Sequence, residues 1–74
     1  MTERVDALWQ DIVGPVLGAH TSVRSVRDGV CTVVVDGPAW ATQLRYLAGE
    51  LVARATEALG TTVVREVRVV VAGP

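Results

Sequence analysis

The sequence predicts an α+β fold in the order α-β-β-α-α-β, with a three-stranded sheet covered on one face by helices. Three features indicate it. Two segments show helical apolar periodicity, a two-residue turn signal lies between valine-rich segments, and a third valine-rich segment follows a helix-ending glycine. A chain of 74 residues is long enough for one domain, residues 1–74, and too short for two.

The first helix is predicted to begin at Thr2, a candidate N-cap, and to end or kink near Val13. Pro15 cannot donate to the carbonyl of Asp11 and disfavours helical geometry at Gly14, and one further apolar turn follows. Apolar residues recur at i, i+3, i+4 and i+7, which predicts a buried stripe made of Val5, Leu8, Trp9, Ile12 and Val13.

Asp28 and Gly29 predict a hairpin turn with positive φ at both positions, between strands at 22–27 and 30–35. The second strand is apolar everywhere except at Thr32, so periodicity leaves its inward face open. We interpret the single Cys31 within it as a small buried apolar residue, since it has no partner for an internal disulfide.

The stretch from Asp36 to Leu47 converts the second strand into a helix that begins at Pro38, with Trp40 in its first turn. Asp36 and Gly37 lie where the cap of this helix is expected. Gly49 interrupts the periodic segment at a cost of about 1 kcal/mol, so two helices are expected, at 38–47 and 49–58. Their shared apolar stripe is predicted to contain Leu44, Leu47, Leu51, Ala55, Ala58 and Leu59, with Tyr46 on the opposite side.

Gly60 predicts the end of the last helix, and Thr61 and Thr62 a turn into a third strand at 63–72. Alternation along this strand predicts Val63, Val67, Val69 and Val71 inward, Glu66, Arg68 and Val70 outward, and Arg65 at the rim.

Four segments together resemble the DciA family of bacterial replicative helicase loaders: LWQDIVGPVLGAHT (8–21), DGVCTVVVD (28–36), AWATQLRYLAGELVARATEALG (39–60) and VVREVRVVV (63–71). The most specific parts are Leu-Trp before Val-Gly-Pro, the Asp-Gly-Val turn, and Ala-Trp-Ala with a leucine four residues after the tryptophan. The resemblance covers nearly the whole chain. It implies a type II KH-like domain that binds DNA and helps place the hexameric DnaB-type helicase on single strands.

The resemblance also implies structural details. Family members often carry a polar residue at the position of Val34, which would turn Cys31, Val33 and Val35 inward, and their helical segment usually bends near Gly49. They usually have more chain outside this region, often basic or disordered. Helicase contact and most of the DNA affinity would then reside either in this region or in the chain outside it.

The charge balance gives little support to nucleic-acid binding by this chain alone. The formal net charge is -1 and the pI about 5.6, whereas a stand-alone nucleic-acid-binding domain is usually basic. All seven basic residues are arginines, which bind phosphate bidentately and stack on bases, so a cluster would still be competent. A genomic bias toward arginine is the alternative explanation.

Candidate nucleic-acid contacts are limited because the usual clamp is missing. A KH domain holds the backbone with a GXXG loop between two helices, but residues 46–51 contain one glycine and an acid. Binding to single strands would then use Arg24 and Arg27 on the hairpin, with Arg45 and Tyr46 on the helix as a stacking platform. An ordinary solvated helix face is the alternative for the last two.

Trp40 has two interpretations. It is either a core residue or a residue at the edge of the core whose exposed ring edge binds a partner. Our prediction is the mixed case, with the ring between Leu44 and the sheet and one edge exposed beside Pro38.

The sequence contains no nucleophile motif, phosphate loop or metal-ligand cluster, so we expect no catalysis, cofactor, metal site or small-molecule substrate. The lone His20 is expected at the surface or as a loop cap. No apolar run is long enough for a bilayer and no signal-peptide pattern begins the chain, which predicts a cytoplasmic protein without a membrane partner.

The expected function is a non-catalytic DNA-replication adapter between single-stranded DNA and the DnaB-type helicase. An RNA-binding KH-like module and a structural dimerisation domain are the alternatives.

Overall fold

The structure is a computed structural model that describes residues 2–60 and 63–72. Its elements are α1 (Thr2–Val13), α2 (Pro15–Gly18), β1 (Thr21–Arg27), β2 (Val30–Val35), α3 (Pro38–Tyr46), α4 (Ala48–Leu59) and β3 (Glu66–Val71). This order confirms the prediction, with α2 as the extra apolar turn after Pro15. The turn predicted at Thr61 and Thr62 lies outside the described residues.

The three strands form one sheet in the order β1-β2-β3. β1 and β2 are antiparallel, as a hairpin requires, whereas β2 and β3 are parallel because two helices connect them. The chain therefore has a small KH-like α+β fold, as predicted.

The turn between β1 and β2 has the predicted conformation, with φ of 52° at Asp28 and 80° at Gly29. In the middle of β1, before the turn, the register shifts between Val23 and Ser25, so Arg24 is an extra residue opposite β2. This β-bulge was not predicted, since no local residue preference marks it.

The inner face of the sheet carries Cys31, Val33 and Val35 from β2, and all three are buried under the helices. This confirms the orientation implied by the family resemblance. Successive strand residues alternate between faces, so the intervening Val30, Thr32 and Val34 lie on the outer face, where they are partly exposed.

The third strand begins later than predicted, at Glu66 instead of residue 63. The amides of Arg65 and Glu66 both donate to the carbonyl of Gly29, at 2.7 and 3.0 Å, so the preceding residues lead up to the hairpin turn without pairing with β2. In that approach Val64 is the fully buried residue, and the predicted Val63 is only half-buried. Val67 and Val69 face inward as predicted.

The long helical segment is divided into two helices as predicted, and the break lies at Leu47, one residue earlier than the predicted ranges place it. Leu47 is the single residue between α3 and α4, with φ of -91° and ψ of 1°, and Gly49 lies in the first turn of α4. Glycine lowers helix propensity, but packing decides where an axis changes. Here Leu44 and Leu51, on either side of the break, are both buried in the core.

The apolar stripe of α3 and α4 agrees with the prediction in most positions. Its observed buried members also include Ala41, whereas Ala58, which was predicted to belong to the stripe, is exposed.

The start of α1 is attached to the edge of the sheet. Thr2 is the first residue of the helix, and its hydroxyl accepts a hydrogen bond from the amide of Val26 in β1, at 2.9 Å. The predicted role of Thr2 as a cap of its own helix is therefore wrong, because the hydroxyl binds a strand amide 24 residues away. The bond occupies one donor on a strand edge.

Trp9 joins three elements, which confirms it as a core residue. It is 4% exposed, and its indole N–H donates to the hydroxyl of Thr21 at 2.7 Å. That hydroxyl in turn donates to the carbonyl of Leu17, also at 2.7 Å. The chain of bonds links α1, β1 and α2 and satisfies every polar group involved.

Candidate partner and nucleic-acid sites

Trp40 lies at the entry to α3, where the backbone is set by Gly37 and Pro38. Gly37 is the N-cap with an extended backbone, and its carbonyl accepts from the amide of Ala41 at 3.2 Å. Asp36, considered with Gly37 as a capping residue, makes no side-chain bond to the helix. Its carboxylate contacts the imidazole of His20 instead.

The ring of Trp40 stacks on the imidazole of His20, with centroids 4.1 Å apart and planes inclined by 12°. The Nδ1 atom of His20 lies 3.0 Å from the carboxylate of Asp36, and the amide of Asp36 donates to the carbonyl of His20 at 3.1 Å. The segment before β1 and the segment after β2 are thereby joined beside the tryptophan.

Trp40 is half-buried and packs against the core, in agreement with the predicted mixed position. The stacked histidine was not predicted, and His20 is more than an isolated surface residue. No short-range pattern reveals the contact, because the two residues are 20 positions apart and only the β1–β2 pairing brings them together.

A cleft of about 340 Å³ adjoins His20 and Asp36 at the end of the sheet that is opposite the hairpin turn. Its walls contain both polar and apolar groups, contributed by His20, Thr21, Ser22, Val34, Asp36 and Ala72. A partner that contacts Trp40 would also meet the carboxylate of Asp36, whose side chain is 58% exposed.

The four predicted nucleic-acid contacts form two separate groups. Arg24 and Arg27 lie exposed on β1, and Arg27 is in register with Val30, on the outer face. Arg45 and Tyr46 end α3, which packs on β2 and β3 from the inner face. The two pairs therefore belong to different layers of the fold.

Tyr46 is 88% exposed, as the periodicity predicted, and Arg45 beside it is also exposed. The junction that follows is the single residue Leu47, so there is no loop that could clamp a nucleic-acid backbone in the KH manner.

Arg65 and Arg68 were assigned only positions along the third strand, and the structure places both near the hairpin. A Cβ atom on Gly29 would lie 3.2 Å from Cγ and Cδ of Arg65, so the Arg65 side chain crosses the turn. Arg68 is in register with Thr32 on the outer face, and its guanidinium donates to Glu66 at 3.2 Å.

The family model described as "Dna[CI] antecedent, DciA" matches residues 1–69 of the chain. The chain belongs to the DciA family. The resemblance found in the sequence is thus confirmed, and this is a family of replication-associated helicase loaders.

Curated relatives of this DciA chain are described as UPF0232 proteins. Those of Mycobacterium tuberculosis and Rhodococcus jostii are each 36% identical to it over 61 residues, which is 82% of the chain and 33% and 32% of the relatives. The relative in Mycolicibacterium smegmatis is 36% identical over 67 residues, 89% of the chain and 34% of that protein. The DciA chain spans about a third of the length of these relatives.

The described part of the DciA chain contains no group of three or more histidine, cysteine, aspartate or glutamate residues that could hold a metal ion. Within the same ranges, 2–60 and 63–72, no helix combines the length and apolar character needed to cross a bilayer.

Cys31 is 1% exposed on the inner sheet face, and burial raises the pKa of its thiol to about 11. The thiolate is the reactive form, so burial lowers the reactive fraction at mildly alkaline pH by roughly a hundredfold, in addition to blocking access. We expect iodoacetamide to label Cys31 slowly in the native protein and rapidly in urea. Mass spectrometry measures the labelling rate in each condition. Equal rates in the native protein and in urea would show that this strand opens readily.

Proposed function

We propose that residues 1–74 act as a single, non-catalytic adapter domain in DNA replication, which binds single-stranded DNA weakly and helps to load or position the DnaB-type helicase. The observation that carries this proposal is the family match over residues 1–69. The fold supports it as well, since a KH-like domain is a common nucleic-acid-binding scaffold.

Trp40 is the proposed contact with the helicase. A residue that anchors a partner needs a large rigid surface that is held in place and remains accessible. Stacking on His20 and packing against the core hold the indole, and its partial exposure leaves surface for a partner.

Arginines supply the proposed DNA contacts, and the chain has two candidate surfaces for them. Arg24 and Arg27 are exposed on β1, and Arg45 with Tyr46 forms a second exposed pair at the end of α3. Without a backbone clamp between α3 and α4, charge and stacking have to provide the affinity. Binding by a chain with a net charge of -1 is therefore weak.

The salt dependence of binding tests this electrostatic origin. Three arginines on phosphates, at roughly 0.7 released counterions each, give a slope of about -2 in a plot of log affinity against log salt concentration. Fluorescence anisotropy with a labelled oligothymidylate measures it. Tight binding that is the same at low and physiological salt would contradict a mechanism based on arginine and phosphate.

Two assays separate the candidate functions. Mobility shifts with single-stranded DNA and with RNA of matched length compare the nucleic acids, and a pull-down with purified DnaB-type helicase tests the protein partner. The adapter requires helicase capture together with DNA binding. RNA binding without helicase capture favours the RNA-binding module. A stable dimer in sedimentation equilibrium with neither activity favours the structural dimerisation domain.

A further inference from the structure

The charged residues of this chain are unevenly distributed around the fold. The three strands, the hairpin turn and Arg65 contain four of the seven arginines and only two of the eight carboxylates, so this part of the chain has a formal charge of +2. The remaining three arginines and six carboxylates give the rest of the chain a formal charge of -3. We call the first group the arginine end; it consists of Arg24, Arg27, Arg65 and Arg68.

The backbone geometry keeps the arginine end together. Arg27 and Glu66 are both in register with Val30, and Arg68 lies one outward position further along β3. With strands about 4.8 Å apart and residues about 3.3 Å apart along a strand, the Cα atoms of Arg27 and Arg68 are within about 12 Å of each other.

The two remaining members are held in the same region. Two hydrogen bonds from the start of β3 to the Gly29 carbonyl bring Arg65 to the turn. The β-bulge introduces Arg24 as an additional exposed residue on β1.

The outer face of the sheet extends from the arginine end as a partly apolar surface. Val30, Val34 and Val70 lie on it, and all three are partly exposed. None of the three aromatic residues of the chain is there, since Trp9 belongs to α1 and Trp40 and Tyr46 to α3. The face therefore has no aromatic platform on which bases could stack, so a strand that lies over it is held through its phosphates by the arginines.

The helices that cover the inner face have a formal charge of -2 in total, although α3 by itself contains Arg45 and no carboxylate. α1 has three carboxylates and one arginine, and α4 has two carboxylates and one arginine. The arginine of α4, Arg54, is bound to Glu50 at 2.7 Å and to the carbonyl of Ile12, whereas Arg68 at the arginine end has one longer contact, to Glu66 at 3.2 Å. A polyanion is therefore repelled by the helical layer and attracted to the arginine end.

We propose that single-stranded DNA binds through its phosphates to the arginine end and lies over the outer face of the sheet, and that it does not bind at Arg45 and Tyr46 on α3. The inference rests on the proposed DNA-binding function and names its surface. It adds Arg65 and Arg68 to the contacts and removes the α3 pair.

The test compares two double variants with the same change in net charge. Arg65→Gln with Arg68→Gln alters the arginine end, and glutamine keeps the Cβ and Cγ atoms that pack on Gly29. Arg45→Gln with Arg54→Gln removes two arginines from the helical layer; both are exposed, and Arg54 lies at Ile12, at the end of α1 that is remote from the hairpin. Affinity for a labelled oligothymidylate is measured by anisotropy across a series of salt concentrations, after thermal melting has shown that each variant folds.

The sheet variant is expected to lose about tenfold in affinity at physiological salt, and its salt slope should become shallower by about 1.4, which corresponds to two lost phosphate contacts. The helical-layer variant should bind within about twofold of the parent, since its arginines contact no phosphate. If the sheet variant melts abnormally, Arg24→Gln with Arg27→Gln on the other strand is expected to show the same loss.

Equal losses in the two variants would show that only net charge matters and would overturn the inference, as would a larger loss in the helical-layer variant. Either result leaves DNA binding itself intact. An unaltered protein that binds no oligothymidylate at low salt contradicts the proposed function instead. Stronger competition by oligouridylate than by unlabelled oligothymidylate would overturn the choice of DNA as the ligand.

Discussion

Replacing Trp9 with alanine is expected to leave most of the chain unfolded at room temperature. The side chain is 4% exposed, and removing a buried tryptophan costs about 3 to 5 kcal/mol. A chain of this size has little more stability than that to lose. Loss of the hydrogen bond to Thr21 adds to the cost, because that bond is part of the link among α1, α2 and β1.

Urea denaturation followed by circular dichroism measures the effect, and Trp9→Phe is the matched control. Phenylalanine fills most of the cavity, and the Thr21 hydroxyl still donates to Leu17, so the control should lose only about 1 to 2 kcal/mol. A Trp9→Ala protein within about 1 kcal/mol of the parent would mean that the contact between α1 and β1 contributes little to the folded state.

The second large effect is expected at Trp40, where stability and partner binding separate. Trp40→Ala removes a half-buried ring together with its stack on His20, and a loss of about 2 to 3 kcal/mol follows, below the cost at a fully buried site. Trp40→Phe keeps an aromatic ring for His20 and should preserve the fold. It should nevertheless weaken helicase binding by about 1 to 2 kcal/mol, as truncation of an anchor does.

Isothermal titration with the purified helicase and thermal melting of each variant distinguish the two roles. Tyr46→Ala serves as the control, because this aromatic ring is 88% exposed and away from the core, and its loss should change neither stability nor helicase affinity. A folded Trp40→Phe protein that binds the helicase at full strength would leave Trp40 with a packing role only.

The predicted and observed helix boundaries differ for a physical reason. Pro38 and Gly60 mark the ends of the α3–α4 segment in both, since a proline ring at the first helical position and a left-handed glycine after the last one act locally. The break between the helices is displaced to Leu47, because burying Leu44 and Leu51 against the sheet decides where the axis changes.

The candidate site was predictable in part. Trp40 at the entry to α3 follows from Gly37-Pro38 and the apolar stripe, and an exposed Tyr46 follows from helical periodicity. The stack with His20 was not predictable in this way, because it requires the register of the β1–β2 hairpin. Asp36 was expected at a cap position, but the structure shows its carboxylate paired with His20.

The sequence by itself determined the features that depend on a residue and its near neighbours. These are the turn with positive φ at Asp28 and Gly29, the start of α3 at Pro38 and the periodic stripe that buries Trp9. Each follows from the sterics of one residue or from 3.6-residue repetition, which neighbouring residues reveal.

Only the tertiary structure decided the features that depend on residues far apart in the chain. The β-bulge at Arg24, the stack of His20 on Trp40, and the arrival of Arg65 and Arg68 beside the hairpin all depend on strand pairing. Net charge and composition are sums over the chain, so they concealed a sheet region with a charge of +2 in a molecule of net charge -1. Position in the sheet, and not the number of arginines, concentrates that charge, because electrostatic attraction depends on distance.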